Sequence, residues 1–327
     1  MSKNCNLTRA KREKNDEFYT QREDIEAELG REDYRRAFNG ATVLCNCDDP
    51  RESAFWRYFH NNFLFFGLKK LIATHYEKRG GSSYALVYEG ERPGTLSEIE
   101  NGDVSNGRKI QLKGNGDFRS DECVEFLKKA DIVVTNPPFS LFREYVAQLM
   151  SYEKKFVIIG NQNALTYKEI FPLIKHNKMR CGYISGARTF QAPDDYPGNC
   201  FEKDGHRWVT MGNTCWFTNL DLHKFHEPLV LNGEYNLHPE RYPQYDNYDA
   251  IEVSKVSLIP KDYFGVMGVP ITFFDKYCSE QFEILGASES EGVGFSNGLW
   301  DETSGVSQPL VHGERKYKRL FIRRRKV

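Results

Sequence analysis

The sequence predicts an α/β fold: a doubly wound, mainly parallel sheet with irregular insertions and a C-terminal extension. Three observations predict it. Short apolar runs recur along the first half of the chain, at "ATVLCNC" (41–47), "LIATHYE" (71–77), "RKIQLKGNGDF" (108–118), "DIVVTN" (131–136) and "KKFVIIGN" (154–161). Such runs suit buried strands. Helix-compatible spacers stand between several of them, as in "DECVEFLKKA" and "SLFREYVAQLM", and that alternation is the signature of a parallel sheet with helices on its faces. Finally, the unusual residues fall where strands end: Asp48-Asp49-Pro50, Glu77, Asp117-Phe118, and Asn136 to Phe139. Doubly wound sheets place their ligands beyond the carboxyl ends of the strands.

Each element has a local reason. "REDIEAELG" (22–30) reads as a helix that stops at Gly30. "SAFWRYFHNNFLFFGLKKL" (53–71) is strongly aromatic and helix-compatible in its first half. After residue 180 the alternation stops. "MRCGYIS" and "RWVTMGNTCWFTNL" read as strands, separated by "QAPDDYPGNCFEKDG", which is too long for a plain hairpin turn. Residues 221–260 are polar with little periodicity, and strand and helix patterning returns at 264–286. "YKRLFIRRR" (317–325) alternates like a strand that packs one face and presents the other.

With 327 residues, the chain can hold one large α/β domain with an appendage, or two domains. No apolar run reaches the length that spans a bilayer, and the polar N-terminus lacks the apolar core of a signal peptide. The expectation is a cytoplasmic protein with no membrane partner. Its eight cysteines offer no Cys-x-x-Cys pair and no zinc spacing, which implies free thiols and no metal. Net charge is −1, but Lys3, Arg9, Lys11, Arg12 and Lys14 cluster at one end, with Arg315, Lys316, Lys318, Arg319, Arg323, Arg324, Arg325 and Lys326 at the other. These are either a phosphate-binding surface or two solvated tails.

The stretch Asn136-Pro137-Pro138-Phe139 carries the chemistry. Two prolines fix two φ angles and make the loop stiff. An amine on an aromatic ring is a poor nucleophile, because its lone pair is delocalised into the ring. Two acceptors on its hydrogens localise that pair. The side-chain oxygen of Asn136 is one and the Pro137 carbonyl the other, while Phe139 offers a flat face for a planar base. Catalysis then consists of positioning and electrostatics.

These residues resemble the Asp/Asn-Pro-Pro-aromatic signature of S-adenosylmethionine-dependent amino-methyltransferases. "EFYTQ" (17–21) resembles that group's N-terminal element, "CDDPRESAF" its cofactor loop and "GNGDF" (114–118) its adenine-holding element. With "NPPFSLFREY", "GNTCWFTNL", "GVPITFFDKY" and the basic "YKRLFIRRR" end, the chain is similar to the EcoRI-type adenine-specific DNA methyltransferase family over nearly its whole length. One departure stands out: the cofactor loop has no Gly-x-Gly, and reads Pro50-Arg51-Glu52-Ser53-Ala54 instead.

The resemblance implies a Rossmann-like class I methyltransferase fold, S-adenosyl-L-methionine as cofactor, and methylation of the N6 amine of an adenine flipped out of double-stranded DNA. The implied setting is either a restriction-modification system or phage or orphan modification; the expectation is a monomer, with any cognate endonuclease linked only genetically. It implies a basic arm and helix completing the cofactor pocket over 1–30, a catalytic domain over 31–220, target-recognition segments at 187–206 and 221–300, and a basic C-terminal segment over 301–327. Asn136, Pro137 and Phe139 are the implied catalytic residues. Tyr19, Thr20, Asp49, Pro50, Glu77, Asp117, Phe118 and Asn136 are the implied cofactor contacts, with Asp48 a rival to Asp49. Phe139, Trp216, Phe217, Arg188, Lys203, Arg207, Lys318, Arg319, Arg323 and Arg324 are the candidates for target base and DNA. An amino-methyltransferase of RNA or of protein glutamine, and a catalytically inactive DNA-binding relative, remain alternatives.

Overall fold

The computed structural model describes residues 18–47, 49–51, 53–77, 83–90, 107–192, 196, 198–288 and 308–326. The basic residues of the N-terminal arm, and Asp48, lie outside them. The chain forms two compact units. One comprises residues up to Asn161 together with Ile184–Leu220; the other comprises Gln162–Tyr183 and the chain from Asp221 onward.

A nine-stranded sheet organises the first unit. Its strands are β1 (Thr42–Cys45), β2 (Lys70–Thr74), β3 (Tyr84–Tyr88), β4 (Arg108–Gln111), β5 (Ile132–Thr135), β6 (Lys155–Asn161), β7 (Arg180–Gln191), β8 (Phe201–Lys203) and β9 (His206–Thr218). They lie in the order β4-β3-β2-β1-β5-β6-β9-β7, with β8 on β9. The four central strands are parallel. Antiparallel neighbours flank them, β3 and β4 beyond β2 and β9 beyond β6. The central strands are apolar because helices cover both faces; β1 and β5 are buried at every residue. Strand order reverses between β1 and β5, and the site is built at that reversal.

Among the described residues, the α-helices of this unit are α1 (Arg22–Leu29), α2 (Glu32–Phe38), α3 (Ala54–Asn61), α4 (Phe63–Phe66), α5 (Asp121–Lys129) and α6 (Phe142–Ser151). Gly30 ends α1, its N–H returning to the Glu26 carbonyl. Ser53 and Ser120 start α3 and α5 by accepting from the Phe55 and Cys123 amides. α3 buries Phe55, Trp56, Tyr58 and Phe59, each worth about 1.5–3 kcal/mol of transfer from water. α2 and β3 are absent from the sequence reading. So is the β8–β9 hairpin, whose Asp204-Gly205 turn has positive φ at both residues.

The second unit holds a four-stranded sheet, β10 (Ile251–Glu252), β11 (Met267–Pro270), β12 (Phe282–Ala287) and β15 (Arg319–Arg324), in the order β10-β11-β15-β12. A small hairpin, β13 (Leu310–Val311) with β14 (Glu314–Arg315), and the helix α7 (Phe171–Lys175) complete its regular structure among the described residues. β15 corrects an expectation. It is paired on both sides and buried from Arg319 through Ile322, so it does not present one face to solvent.

Candidate active site

The rigid loop leaves β5 at Asn136, which is only 2% exposed. Its side-chain nitrogen donates to the Phe18 carbonyl at 2.7 Å. Its side-chain oxygen is buried and has no hydrogen-bond partner among the described residues. The Phe18 carbonyl therefore holds the amide in one orientation and leaves the acceptor free. A buried acceptor without a donor costs about 1–3 kcal/mol, a cost that a ligand N–H removes. Pro137 is buried beside it. The Pro138 carbonyl accepts from the Leu141 amide at 2.9 Å, which folds Phe139–Leu141 into one 3-10 turn. Phe139 is half-buried, edge-on to Phe18 at 5.9 Å and to Phe190 at 6.5 Å.

Next to this loop lies a cleft lined by Cys47, Tyr76, Gly116, Asp117, Phe118, Arg119, Pro138 and Leu141. Two loops make its far wall. The Glu77 amide donates to the Asn115 carbonyl at 2.8 Å. Gly116 has φ +78°, and a Cβ there would collide with the His75 carbonyl; only glycine permits that approach. Phe118 is buried edge-on against Tyr145 at 5.0 Å. Asp117 accepts from Arg119 at 2.8 and 2.6 Å, and Arg119 reaches Glu144 at 3.3 Å. The Asp117 hydrogen bond raises the Arg119 pKa, so that guanidinium stays charged. The cleft therefore pairs aromatic walls with a carboxylate at its rim. Glu77 is half-buried beside it.

The first strand's loop behaves otherwise. Asp49 accepts from the Arg51 amide at 2.9 Å and the Tyr84 hydroxyl at 2.8 Å, and its second oxygen stands 3.4 Å from His75 Nε2. Asp49, an expected cofactor contact, thus uses Oδ1 to pin the loop to β3. Pro50 is buried in that turn. Tyr19 bridges Gln191 through both backbone groups, at 3.0 and 3.3 Å, and Thr20 follows with a buried hydroxyl that has no partner among the described residues.

The residues expected to meet DNA scatter. Trp216 and Phe217 are wholly buried in β9, paired with Ile159 and Ile158. Trp216 packs edge-on to Phe55 at 5.9 Å and Phe217 lies 5.4 Å from Phe142. Neither presents a face on which a base could stack. Arg188, expected to read bases, is buried in β7. Lys203 is exposed beside Trp208 on the β8–β9 hairpin, and Arg207 is half-buried across from Glu202.

In the second unit, Arg319 is buried and paired with Glu252 at 2.7 Å, so it is a structural charge and no DNA contact. Lys318 donates to the Thr166 hydroxyl at 2.7 Å, and Arg323 pairs with Glu283 at 2.9 Å. Arg324 bonds the Lys261 carbonyl and lies 4.7 Å from the Phe264 ring. Six residues of the cleft were not among the expected site residues: Cys47, Tyr76, Gly116, Arg119, Pro138 and Leu141. Tyr76 and Arg119 adjoin assigned ones, and Leu141 sits in the same rigid loop, so proximity to strand ends was their signal.

The family model described as adenine-specific methyltransferase EcoRI matches residues 6–325. The type II methyltransferase M.EcoRI of Escherichia coli is 48% identical over 294 residues, 85% of this chain and 88% of that protein. The type II methyltransferase M.MpnI of Mycoplasma pneumoniae is 37% identical over 329 residues, 98% of each chain.

Proposed function

We infer the reaction from kinship and geometry together: the chain belongs to the EcoRI family of adenine-specific methyltransferases. It is a DNA methyltransferase that methylates the exocyclic amine of an adenine in double-stranded DNA. S-adenosylmethionine supplies the activated methyl group when bound. The observation that carries this reading is the lone buried oxygen of Asn136, set by the Phe18 carbonyl.

That oxygen accepts a hydrogen of the adenine amine and draws the nitrogen toward tetrahedral geometry. The Pro137 carbonyl takes the other hydrogen, held by the fixed φ of Pro138. Phe139 stacks on the base, which must leave the duplex to reach it at a cost of a few kcal/mol. The cleft fits the cofactor's adenosine: Phe118 and Tyr76 are flat walls, and Asp117 places an acceptor at the rim. Arg119 fixes that carboxylate with two hydrogen bonds. The type II relatives support a restriction-modification setting.

The test is Asn136→Ala, assayed by tritium transfer to DNA, RNA and protein in parallel. Wild-type protein should label DNA alone. The variant should lose at least roughly 10²–10³-fold in turnover, the scale of removing one preorganised polar group, while its affinity for S-adenosylmethionine is retained. Near-normal turnover in the variant, or labelling of RNA or protein in place of DNA, removes the reading.

A further inference from the structure

The missing Gly-x-Gly leaves open the grip on the methionine end of the cofactor. Arg188 is 5% exposed, and none of its three guanidinium nitrogens has a hydrogen-bond partner among the described residues. Arginine cannot shed its charge by deprotonation, and an unpaired charge in the interior costs several kcal/mol. The guanidinium lies over the Trp216 ring, 5.7 Å from its centroid. Trp216 Nε1, a donor only, is also buried and partnerless among the described residues. The Thr20 hydroxyl is a third such group, carried past the Tyr19–Gln191 bridge along the strand that holds Arg188. Two donor-only groups and a hydroxyl, on elements that adjoin and with no hydrogen-bond partner among the described residues, describe a site for an anion.

Position says which anion. Thr135 pairs with Ile158, and Ile159 pairs with Trp216. Asn136, one residue past Thr135, thus shares a cross-strand row with Trp216, two strand spacings away, about 10 Å. The Trp216 ring in turn meets Phe55, in the first turn of the eight-residue α3. That helix follows the loop in which the family's glycines are missing, and its start is the positive end of its dipole. A duplex phosphate, which stays on the outside of the DNA, does not enter so buried a place. A carboxylate at the end of a small, flexible ligand is compact enough for it. Among the described residues a nearby charge is Asp24, in α1; burial raises its pKa and the Arg188 charge partly offsets that. It serves as a counter-charge without a hydrogen bond.

We propose that Arg188, with Trp216 Nε1 and the Thr20 hydroxyl, binds the carboxylate of the methionine moiety of S-adenosylmethionine, in place of the backbone grip of a glycine loop. The proposal rests on the cofactor assignment above. Calorimetric titration with S-adenosylmethionine and with its decarboxylated analogue tests it. Wild-type protein should favour the carboxylated compound. Arg188→Met should weaken that compound by roughly ten- to a hundredfold, the scale of a charge-assisted hydrogen bond, and leave the analogue unchanged. Arg188→Lys should restore part of the loss. Binding of the analogue doubles as the check that the variant is folded.

Equal affinity of wild-type protein for the two compounds overturns the proposal without any variant. So does an Arg188→Met protein that binds S-adenosylmethionine normally, loses both compounds alike, or loses only DNA. Wild-type protein that binds neither compound overturns the cofactor assignment, and this proposal with it.

Discussion

Arg188 and Arg319 are buried to nearly the same degree, 5% and 9% exposed, in different compact units, and only one of them is paired. Arg319 places Nε and a terminal nitrogen on Glu252 at 3.0 and 2.7 Å and gives another to the Tyr317 carbonyl at 2.7 Å. The Tyr245 hydroxyl donates to the same carboxylate. Arg188 has none of this. The neutral groups divide likewise. Among the described residues, the buried partnerless side-chain atoms of the first unit belong to Thr20, His60, Thr74, His75, Asn136, Gln148, Arg188 and Trp216, and those of the second to Arg324 alone. A satisfied buried charge belongs to the architecture. An unsatisfied one is a cost kept for something that binds.

Exchanging each arginine for methionine probes that contrast most directly. Arg319→Met leaves Glu252 buried without its counter-charge and should lose about 3–5 kcal/mol of unfolding free energy. Arg188→Met removes a charge that makes no hydrogen bond among the described residues and should stay within about 1 kcal/mol of wild type, or gain. Urea unfolding of the two variants measures both. Equal losses would break the contrast and make Arg188 another structural charge.

A smaller effect sharpens it inside the first unit. Phe139 is held edge-on by Phe18 and Phe190 yet remains half-exposed, so its open face is unsatisfied in the apolar sense. Phe139→Ala should weaken methyl transfer by roughly 10–100-fold, the equivalent of about 1–3 kcal/mol of base stacking. Phe139→Trp should keep most of it. Turnover of an unpaired, single-stranded adenine compared with a duplex one separates stacking from packing: loss of core packing lowers both alike.

How far the sequence reveals all this depends on distance along the chain. The Asn136 loop was legible because its stiffness is local, written in two adjacent prolines. The central strands were legible from their apolar runs, and Gly116 from its turn. β3 was passed over although Tyr84–Tyr88 is buried throughout; its five residues gave no helix-to-strand rhythm with neighbours. The arginines were misread for a different reason. A lone arginine is exposed by default, and the carboxylate that buries Arg319 lies 67 residues away. Arg188 is buried by β7 and the rings around it, which no spacing in "GARTFQ" announces. The tryptophan beside it was read as a stacking platform because composition cannot say which way an aromatic on a strand faces.

The contrast has a last, weaker edge in the second unit, where His226 is paired yet half-exposed. Its ring nitrogens meet Glu280 and Asp221, both at 2.8 Å. Hydrogen bonding to Glu280 and then Asp221 raises its pKa above the ordinary 6.5. The folded state thus holds the proton more tightly than the unfolded chain, so the pair contributes fully below about pH 6.5 and its contribution fades as pH rises through the raised value. Solvent screens it, and the whole effect should be on the order of 0.5 kcal/mol or less. The difference in unfolding free energy between wild type and His226→Gln, followed from about pH 5.5 to about pH 8.5, should shrink with rising pH. If it grew, or if it matched the several kcal/mol expected at Arg319, pairing alone would matter and burial would not, and the distinction drawn between the two arginines would lose its physical basis.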